Sequence, residues 1–176
     1  MLDFGSVDVG TSAEYFAHLT IRSLVGVDVS NPADGNGKAP SGDGRATLVH
    51  VADFRAAGSI DLALTHGVFL KMPPREQAAA AVLVFRSLKP GGLFAFWEHN
   101  PWNPRARFRA SQKFRTQAGP LSPPDARRLL RGVGFDIVHT TSTFFFPRGL
   151  RWCQPIEPML ALLPLGGQYM VLARKP

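Results

Sequence analysis

The chain has 176 residues, of which 45% are hydrophobic, a length that suits one domain with a sizeable core rather than two. A single cysteine, Cys153, excludes an internal disulfide and a metal cluster built on cysteine ligands. No apolar run reaches the roughly 18 residues that a membrane span needs, and no signal-peptide pattern begins the sequence, so we expect a cytoplasmic protein.

The net charge of +7 is unevenly distributed along the chain. Residues 105–176 carry 12 Lys and Arg against 3 Asp and Glu, whereas residues 1–104 carry 8 against 10. A basic half indicates an anionic partner: a phosphorylated or nucleotide-linked substrate, a membrane surface or nucleic acid. A basic solvated surface explains the same composition. Nucleic acid is the least favoured partner, because no recognised binding motif and no basic stripe along one helix is present.

The first 19 residues predict a strand, a turn and a helix. Residues 2–4 form a short apolar strand, the turn follows from Gly5 to Gly10, and Thr11 with Glu14 has the spacing of a capping box that opens a helix. A helix N-terminus after a strand and a glycine turn is the ligand-binding end of a doubly wound α/β sheet.

The next segments predict three further strands. Residues 23–29 form a continuous apolar run that ends near Asp28, which follows Asp3 at close to the roughly 20-residue offset of a ribose-binding acid. Residues 31–44 are rich in turn formers and predict a mobile loop where a crossover helix is usual. Residues 46–51, followed by Asp53 and Phe54, and residues 60–65 predict the third and fourth strands.

The clearest helix is predicted for residues 75–88, after Pro73 and Pro74, with an apolar stripe through Ala78 and Ala81. A turn at residues 89–92 leads to a fifth strand at 93–97. The loop at 98–121 mixes aromatic residues with arginines and has the length of a lid.

The remaining chain predicts a helix at 122–132, a strand at 136–146, a kinked helix or two short ones at 149–163 and a last strand at 168–173. No repeat or linker divides the sequence. We therefore expect a single domain over residues 1–176.

The order of these motifs resembles class I S-adenosylmethionine-dependent methyltransferases that act on small molecules. The resemblance spans nearly the whole chain and rests on five motifs: 2–5 (Leu-Asp-Phe-Gly), 25–29 (Val-Gly-Val-Asp-Val), 52–54 (Ala-Asp-Phe), 60–69 (Ile-Asp-Leu-Ala-Leu-Thr-His-Gly-Val-Phe) and 88–96 (Leu-Lys-Pro-Gly-Gly-Leu-Phe-Ala-Phe). It implies a doubly wound, mostly parallel sheet with an antiparallel C-terminal strand. It also implies S-adenosylmethionine as cofactor and a small, anionic or lipid- or sugar-linked acceptor.

The resemblance also assigns cofactor-binding roles to individual residues. It places the methionine moiety against Gly5 and the turn to Gly10, with Asp3 ordering that turn. By the resemblance, Asp28 would accept hydrogen bonds from the ribose hydroxyls and Asp53 from the adenine amino group. Phe54 would pack beside the adenine, and Thr65 would border the transferring methyl group.

Two histidines near the carboxyl ends of the strands are candidate catalytic residues. His99 follows the fifth strand and has an unperturbed pKa near neutrality, which suits deprotonation of an acceptor. The resemblance places His66 beside the transferring methyl group. A loop histidine is equally a polar surface group, and no pair of histidines has metal-ligand spacing.

Two features depart from the family pattern and leave other functions open. Val7 and Val9 stand in the turn where the family has glycines, and the chain begins inside the first strand, without the helices that usually precede it. These features favour, as the alternative, a catalytically inactive methyltransferase-like binding or partner module. A nicotinamide-dependent enzyme is disfavoured because the turn lacks Gly-x-Gly-x-x-Gly spacing. Basic residues beside Trp and Phe at 102–115 also fit a peripheral membrane contact.

Overall fold

The computed structural model describes residues 1–6, 21–30, 45–103, 120–146 and 148–176. These residues form one seven-stranded sheet with helices beside it. The strands are β1 (Leu2–Phe4), β2 (Leu24–Asp28), β3 (Ala46–His50), β4 (Ile60–His66), β5 (Leu88–His99), β6 (Asp136–Thr143) and β7 (Gln168–Arg174). The helices are α1 (Pro74–Ser87), α2 (Pro123–Val133) and the short α3 (Glu157–Leu160), with 3-10 helices at Phe69–Lys71 and Arg148–Ile156.

The strand order is β3-β2-β1-β4-β5-β7-β6. Strands β1 to β5 pair in parallel, and β7 lies antiparallel between β5 and β6. The order reverses between β1 and β4, so the carboxyl ends of these two strands flank a crevice of the kind that binds ligands in doubly wound sheets. The predicted fold class, including the antiparallel C-terminal strand, is confirmed.

One face of the sheet carries an aromatic core. Phe94, Phe96 and Tyr169 are fully buried on this face together with Leu2 and Phe4. The ring centroids of Phe94 and Phe96 lie 5.9 Å apart, edge to face. Such rings bury large apolar areas, and this core fixes the register of β5 against β7 and hence the position of the residues at their ends.

The two long helices begin and end where their sequences predict. Helix α1 has Pro74 in its first turn, and α2 is capped by Ser122 and closed by Gly134, whose φ of 110° is a left-handed conformation that glycine adopts without strain. The buried face of α1 agrees with the predicted stripe at Ala81 and differs from it at the start of the helix. Ala78 is exposed, and Gln77 is buried because its amide donates to the carbonyls of Phe69 at 2.9 Å and Met72 at 3.2 Å.

Two boundaries differ from those predicted. Strand β5 extends back to Leu88 because the predicted turn pairs with the chain end: Gly91 N–H donates to Lys175 O at 2.8 Å and Lys175 N–H to Gly92 O at 2.9 Å. Strand β6 ends at Thr143 rather than Phe146, because Phe144 has a φ of 60°. The predicted pair of short helices between β6 and β7 is confirmed, with Pro155 inside the first.

Several predicted features lie outside the described residues: the helix after β1, the loop at 31–44 and residues 104–119 of the lid-like loop. The single-domain organisation stays a prediction. No helix in the described parts of the chain is both long enough and apolar enough to span a membrane.

Candidate functional site

The predicted site residues that the structure describes lie on the strands of one half of the sheet or directly after them. Parallel strands present their carboxyl ends at one edge, and β1 to β5 all follow this rule. Most of the candidates gather there: Gly5 after β1, Asp28 on β2, Asp53 and Phe54 after β3, Thr65 and His66 on β4, and His99 on β5. Asp3, a further candidate, lies within β1, and Gly10 lies outside the described residues.

Gly5 ends β1 in a conformation that favours glycine. Its φ is 90°, and its N–H donates to Val27 O at 2.7 Å. A Cβ at this position would lie 2.7 Å from Cγ1 and 3.0 Å from Cβ of Val68. Val68 is itself buried. Glycine is therefore required here by the backbone and by the close approach of Val68, whether or not a ligand lies beside it.

Asp3 precedes Gly5 by two residues and is buried within β1. It pairs in register with Gly26 of β2 and Leu64 of β4. Side chains alternate along a strand, so Asp3 lies on the face opposite the core residues Leu2 and Phe4.

Asp28 lies at the carboxyl end of β2 and is only 7% exposed. One carboxylate oxygen accepts from Ser30 N–H at 2.7 Å. His50, at the end of β3, contacts the segment after β2 through its Nε2, which lies 3.0 Å from Ser30 O. Its Nδ1 accepts a hydrogen bond of 3.2 Å from Ala52 N–H. A carboxylate has acceptor capacity on both oxygens, so the second oxygen of Asp28 suits a pair of hydroxyl donors.

Asp53 and Phe54 occupy the turn that leaves β3. The N–H groups of both residues donate to His50 O, at 2.9 and 3.0 Å. Asp53 is exposed, whereas Phe54 is partly buried and packs against the core. The structure therefore places an exposed carboxylate and an aromatic ring one strand away from Asp28.

The end of β4 carries a buried hydroxyl and an exposed imidazole. Thr65 is fully buried, and its Oγ1 has no hydrogen-bond partner in the described parts of the chain. His66 lies on the other face, where its Nε2 is 3.2 Å from Gln168 Nε2 and its ring lies 6.0 Å from that of Trp97. Trp97 Nε1 donates to Gln168 Oε1 at 3.0 Å. Gln168 therefore links β4, β5 and β7 beside His66.

His99 ends β5 near the turn after β4. Its Nε2 would lie 3.9 Å from a Cβ placed on Gly67. Burial lowers the pKa of His99, and the neighbouring charges of His66 and Lys71 lower it further. The imidazole is therefore neutral at pH 7 and able to accept a proton, as general-base chemistry requires.

Glu98 is buried beneath this edge, whereas the sequence places it with His99 among the substrate-side residues after the fifth strand. It is 1% exposed, its Oε1 accepts from Phe69 N–H at 2.8 Å, and its Oε2 has no partner among the described residues. Burial raises the pKa of Glu98 to about 7, against the opposing effect of the backbone N–H groups around Phe69. Glu98 thus holds the turn that carries Val68.

Comparison with known proteins identifies this arrangement. The methyltransferase domain family matches residues 2–96, which include β1 to β4 and most of β5. The chain belongs to that family. It is a class I S-adenosylmethionine-dependent methyltransferase by family, as the sequence motifs predicted, and S-adenosylmethionine is the cofactor of this class.

Solved structures share the fold of this methyltransferase domain. A methyltransferase from Archaeoglobus fulgidus superposes with a TM-score of 0.71 at 15% identity, over 99% of this chain and 85% of that one. A methyltransferase from Mesorhizobium loti superposes with a TM-score of 0.68 at 17% identity, over 99% of this chain and 90% of that one. Phosphoethanolamine N-methyltransferase 2 of Haemonchus contortus was solved with S-adenosylmethionine. It superposes with a TM-score of 0.66 at 18% identity, over 100% of this chain and 48% of that one. Comparison with curated protein sequences gives no match.

The residues at the carboxyl edge fit this cofactor. The buried carboxylate of Asp28 suits ribose hydroxyls, and the orphaned hydroxyl of Thr65 offers a polar contact at the crevice between β1 and β4. Gly5 adds a backbone N–H at the end of β1, but that N–H is already donated to Val27. Among the predicted cofactor-binding residues, Asp28 and Thr65 are therefore buried polar groups that the cofactor could use.

Two features of the site were visible only in the structure. Glu98 follows Phe94 and Phe96 at alternate positions of β5, so strand alternation places it on the buried face. The free-energy cost of burying a carboxylate predicts an exposed Glu98 instead, so the sequence alone did not decide between the two. The contact between Val68 and Gly5 had no signal in the sequence, because it joins two strands separated by some sixty residues.

Proposed function

We propose that this methyltransferase domain transfers the methyl group of S-adenosylmethionine to a small, anionic or lipid- or sugar-linked acceptor. The observation that carries the proposal is the gathering of Asp28, Thr65 and His99 at one edge of the sheet in a member of this family. The acceptor side is formed by the residues after β5 and by the connection from β6 to β7, which end at the same edge.

The cofactor supplies an activated methyl group on a sulfonium, so the protein's main task is to align the acceptor and exclude water. Asp28 would accept from the ribose hydroxyls, and the exposed carboxylate of Asp53 would accept from the adenine amino group beside Phe54. Asp3 and Gly5 would hold the methionine end, to which the family resemblance also assigns Gly10. Each role uses a residue type with the matching donor or acceptor capacity.

His99 is the proposed base for the acceptor. Its lowered pKa keeps the ring neutral at physiological pH, and its place after β5 puts it outside the carboxyl ends of the strands. His66 lies on the neighbouring strand β4, and its electrostatic effect helps to lower the pKa of His99. We assign His66 a role in tuning that base and in bordering the methyl group.

The acceptor class follows from the composition of this edge. The sequence from 104 to 119 holds five basic and no acidic residues and continues directly from Asn103, which is buried beside the edge. A basic stretch that follows Asn103 in the sequence favours an anionic acceptor, because positive charge lowers the cost of bringing a negative charge to the cofactor.

Methyl transfer from radiolabelled S-adenosylmethionine tests the proposal. The purified chain is incubated with lipid, sugar-phosphate and small-molecule fractions of a cell extract, and the label should enter an anionic fraction. The variant His99→Gln should lower the rate without changing cofactor binding. Label in no fraction, with intact cofactor binding, contradicts transfer to this acceptor class.

A specific observation favours the inactive module as the second candidate. Val68 fills the space beside Gly5, and Val7 and Val9 follow in the sequence where the family has glycines. β-branched residues disfavour the conformations that let a loop approach a ligand closely. Calorimetry against S-adenosylmethionine distinguishes the two, because the module predicts no heat of binding.

A further inference from the structure

Three side chains from three strands form a hydrogen-bonded row at the carboxyl edge of the sheet. His66 of β4 pairs in register with Trp97 of β5, and His99 of β5 pairs with Gln168 of β7. Trp97 and His99 are alternate residues of one strand, so their side chains share a face, and residues paired across neighbouring strands share it too. His66, Trp97 and Gln168 therefore lie on the face opposite the aromatic core.

The indole of Trp97 fixes the orientation of the Gln168 amide. Trp97 Nε1 donates to Gln168 Oε1 at 3.0 Å. An indole nitrogen can only donate, so the amide must present its oxygen to Trp97 and keep its nitrogen for another partner. Exchange of the amide oxygen and nitrogen would set two donors against each other. The orientation of the amide thus follows from hydrogen-bonding chemistry.

The amide in turn fixes the position of the proton on the ring of His66. Gln168 Nε2 lies 3.2 Å from His66 Nε2. An amide nitrogen donates and does not accept, so His66 Nε2 is the acceptor and carries no proton. A neutral imidazole has one N–H group, which must then be at the remaining nitrogen, Nδ1. His66 is therefore held in the tautomer that accepts through Nε2 and donates through Nδ1.

Trp97 also contacts the ring of His66 directly. The two ring centroids lie 6.0 Å apart with an interplanar angle of 78°, an edge-to-face arrangement. Gly67 N–H donates to Trp97 O at 2.9 Å, which holds the end of β4 against β5. One residue of β5 thus contacts the imidazole and orients the amide that binds it.

We propose that Gln168 is a positioning residue that holds His66 in the Nδ1–H tautomer, so that His66 offers the methyl acceptor a hydrogen-bond donor. Because its Nε2 is bound to Gln168, His66 does not take the proton of the acceptor, and His99 remains the base. An N–H donor at the end of β4 suits an acceptor with an anionic oxygen, since hydrogen bonds to charged groups are the stronger ones. The donor role rests on the proposed function, whereas the tautomer does not.

NMR of the full chain, isotope-labelled at the histidine ring nitrogens, tests the tautomer. Protonated and unprotonated ring nitrogens give well-separated signals, and His66→Gln identifies those of His66. At pH 8, where an ordinary imidazole is neutral, the major form of the wild type should carry its proton on Nδ1. Gln168→Glu replaces the amide donor by an acceptor and should shift the ratio of tautomers towards Nε2–H by about fivefold or more. The matched control Gln154→Glu, at an exposed glutamine of the second 3-10 helix, should leave the ratio unchanged.

Methyl transfer by two His66 variants tests the donor. Asparagine places an N–H group near the position of the histidine Nδ1, whereas leucine keeps only the size of the side chain. His66→Asn should therefore keep most of the rate at which the wild type labels the anionic fraction of a cell extract, and His66→Leu should lower that rate about tenfold or more.

The two experiments fail in different ways. A wild type with its His66 proton mainly on Nε2, or a tautomer ratio that Gln168→Glu does not change, overturns the positioning role of Gln168. Equal losses of rate in His66→Asn and His66→Leu overturn the donor role of His66. A wild type that shows the Nδ1–H tautomer but labels no fraction supports the positioning role and contradicts the proposed function instead.

Discussion

Glu98 Oε1 accepts a hydrogen bond of 2.8 Å from the backbone N–H of Phe69. This bond joins the end of β5 to the turn after β4, and that turn carries Val68, whose side chain lies against Gly5 at the end of β1. Three strand ends at the functional edge are thereby linked through one buried carboxylate. The geometry of the crevice depends on that link, since neither Val68 nor Gly5 can move alone.

Stability should depend on pH through Glu98. Its folded pKa of about 7 exceeds the ordinary value of 4.5, so the folded state binds the proton more tightly than the unfolded state. The contribution is fully present below about pH 4.5 and is lost as the pH rises to about 7, with a total on the order of 3 kcal/mol.

The variant Glu98→Gln isolates this effect from other titrating groups. The free energy of unfolding, measured by urea denaturation at pH 5 and pH 8, should favour the variant relative to the wild type more strongly at pH 8. A difference between the two proteins that stays constant over this range would show that Glu98 does not titrate there.

Gly5 and Val68 should be energetically coupled. Gly5→Ala adds a Cβ to a residue with positive φ and places it against the side chain of Val68. Overpacking of this kind lowers the free energy of unfolding by about 1–3 kcal/mol. Val68→Ala creates space for that side chain, so the double variant should be more stable than the sum of the single effects by about 1 kcal/mol or more. Chemical denaturation of the four proteins measures the coupling, and simple additivity would contradict the contact.

The pKa of His99 should rise when His66 is replaced by an uncharged residue. His66 lowers the pKa of His99 electrostatically, although burial of His99 has the larger effect. In His66→Gln, titration of the His99 ring protons by NMR should therefore give a higher midpoint than in the wild type. His139→Gln, on β6, is the matched control and should leave the midpoint where it was. An unchanged midpoint in His66→Gln would show that His66 does not influence the pKa of His99.

Asp28 should carry part of the cofactor affinity. Hydrogen bonds to a charged group contribute about 1.5–3 kcal/mol, so Asp28→Asn should weaken S-adenosylmethionine binding by about ten- to a hundredfold. Asp61→Asn is the control, because Asp61 is an exposed carboxylate that pairs with Lys89 at 2.7 Å near the opposite end of β4. Equal affinities for S-adenosylmethionine in the two variants would show that Asp28 does not contribute to cofactor binding.

The sequence predicted most of the fold because its strands and helices carry strong local signals. Residues 2–4 and 60–65 read as buried strands, and Pro74 and Gly134 mark helix ends through their own backbone preferences. Those signals need no knowledge of distant residues. They were sufficient to place Asp28, Thr65 and His99 at one edge of the sheet.

The remainder depended on contacts between distant parts of the chain. Gln77 is buried because two carbonyls before α1 accept its amide hydrogens, a burial that the apolar stripe of the helix did not predict. The turn at residues 89–92 joined β5 because Lys175 pairs with it. The burial of Glu98 follows from the packing of Phe69 and Phe96, whose ring centroids lie 4.8 Å apart. Lys175 and the turn at 89–92 are distant in sequence, as are Phe69 and Phe96, whereas the carbonyls that bind Gln77 lie only five and eight residues before it.

Isothermal titration calorimetry with S-adenosylmethionine tests the central claim most directly, with the wild type, Asp28→Asn and Asp61→Asn measured side by side. The account predicts saturable heat with one site per chain in the wild type and in Asp61→Asn, and affinity at least about tenfold lower in Asp28→Asn. No heat and no thermal stabilisation of the wild type at millimolar cofactor would contradict a working methyltransferase at this edge.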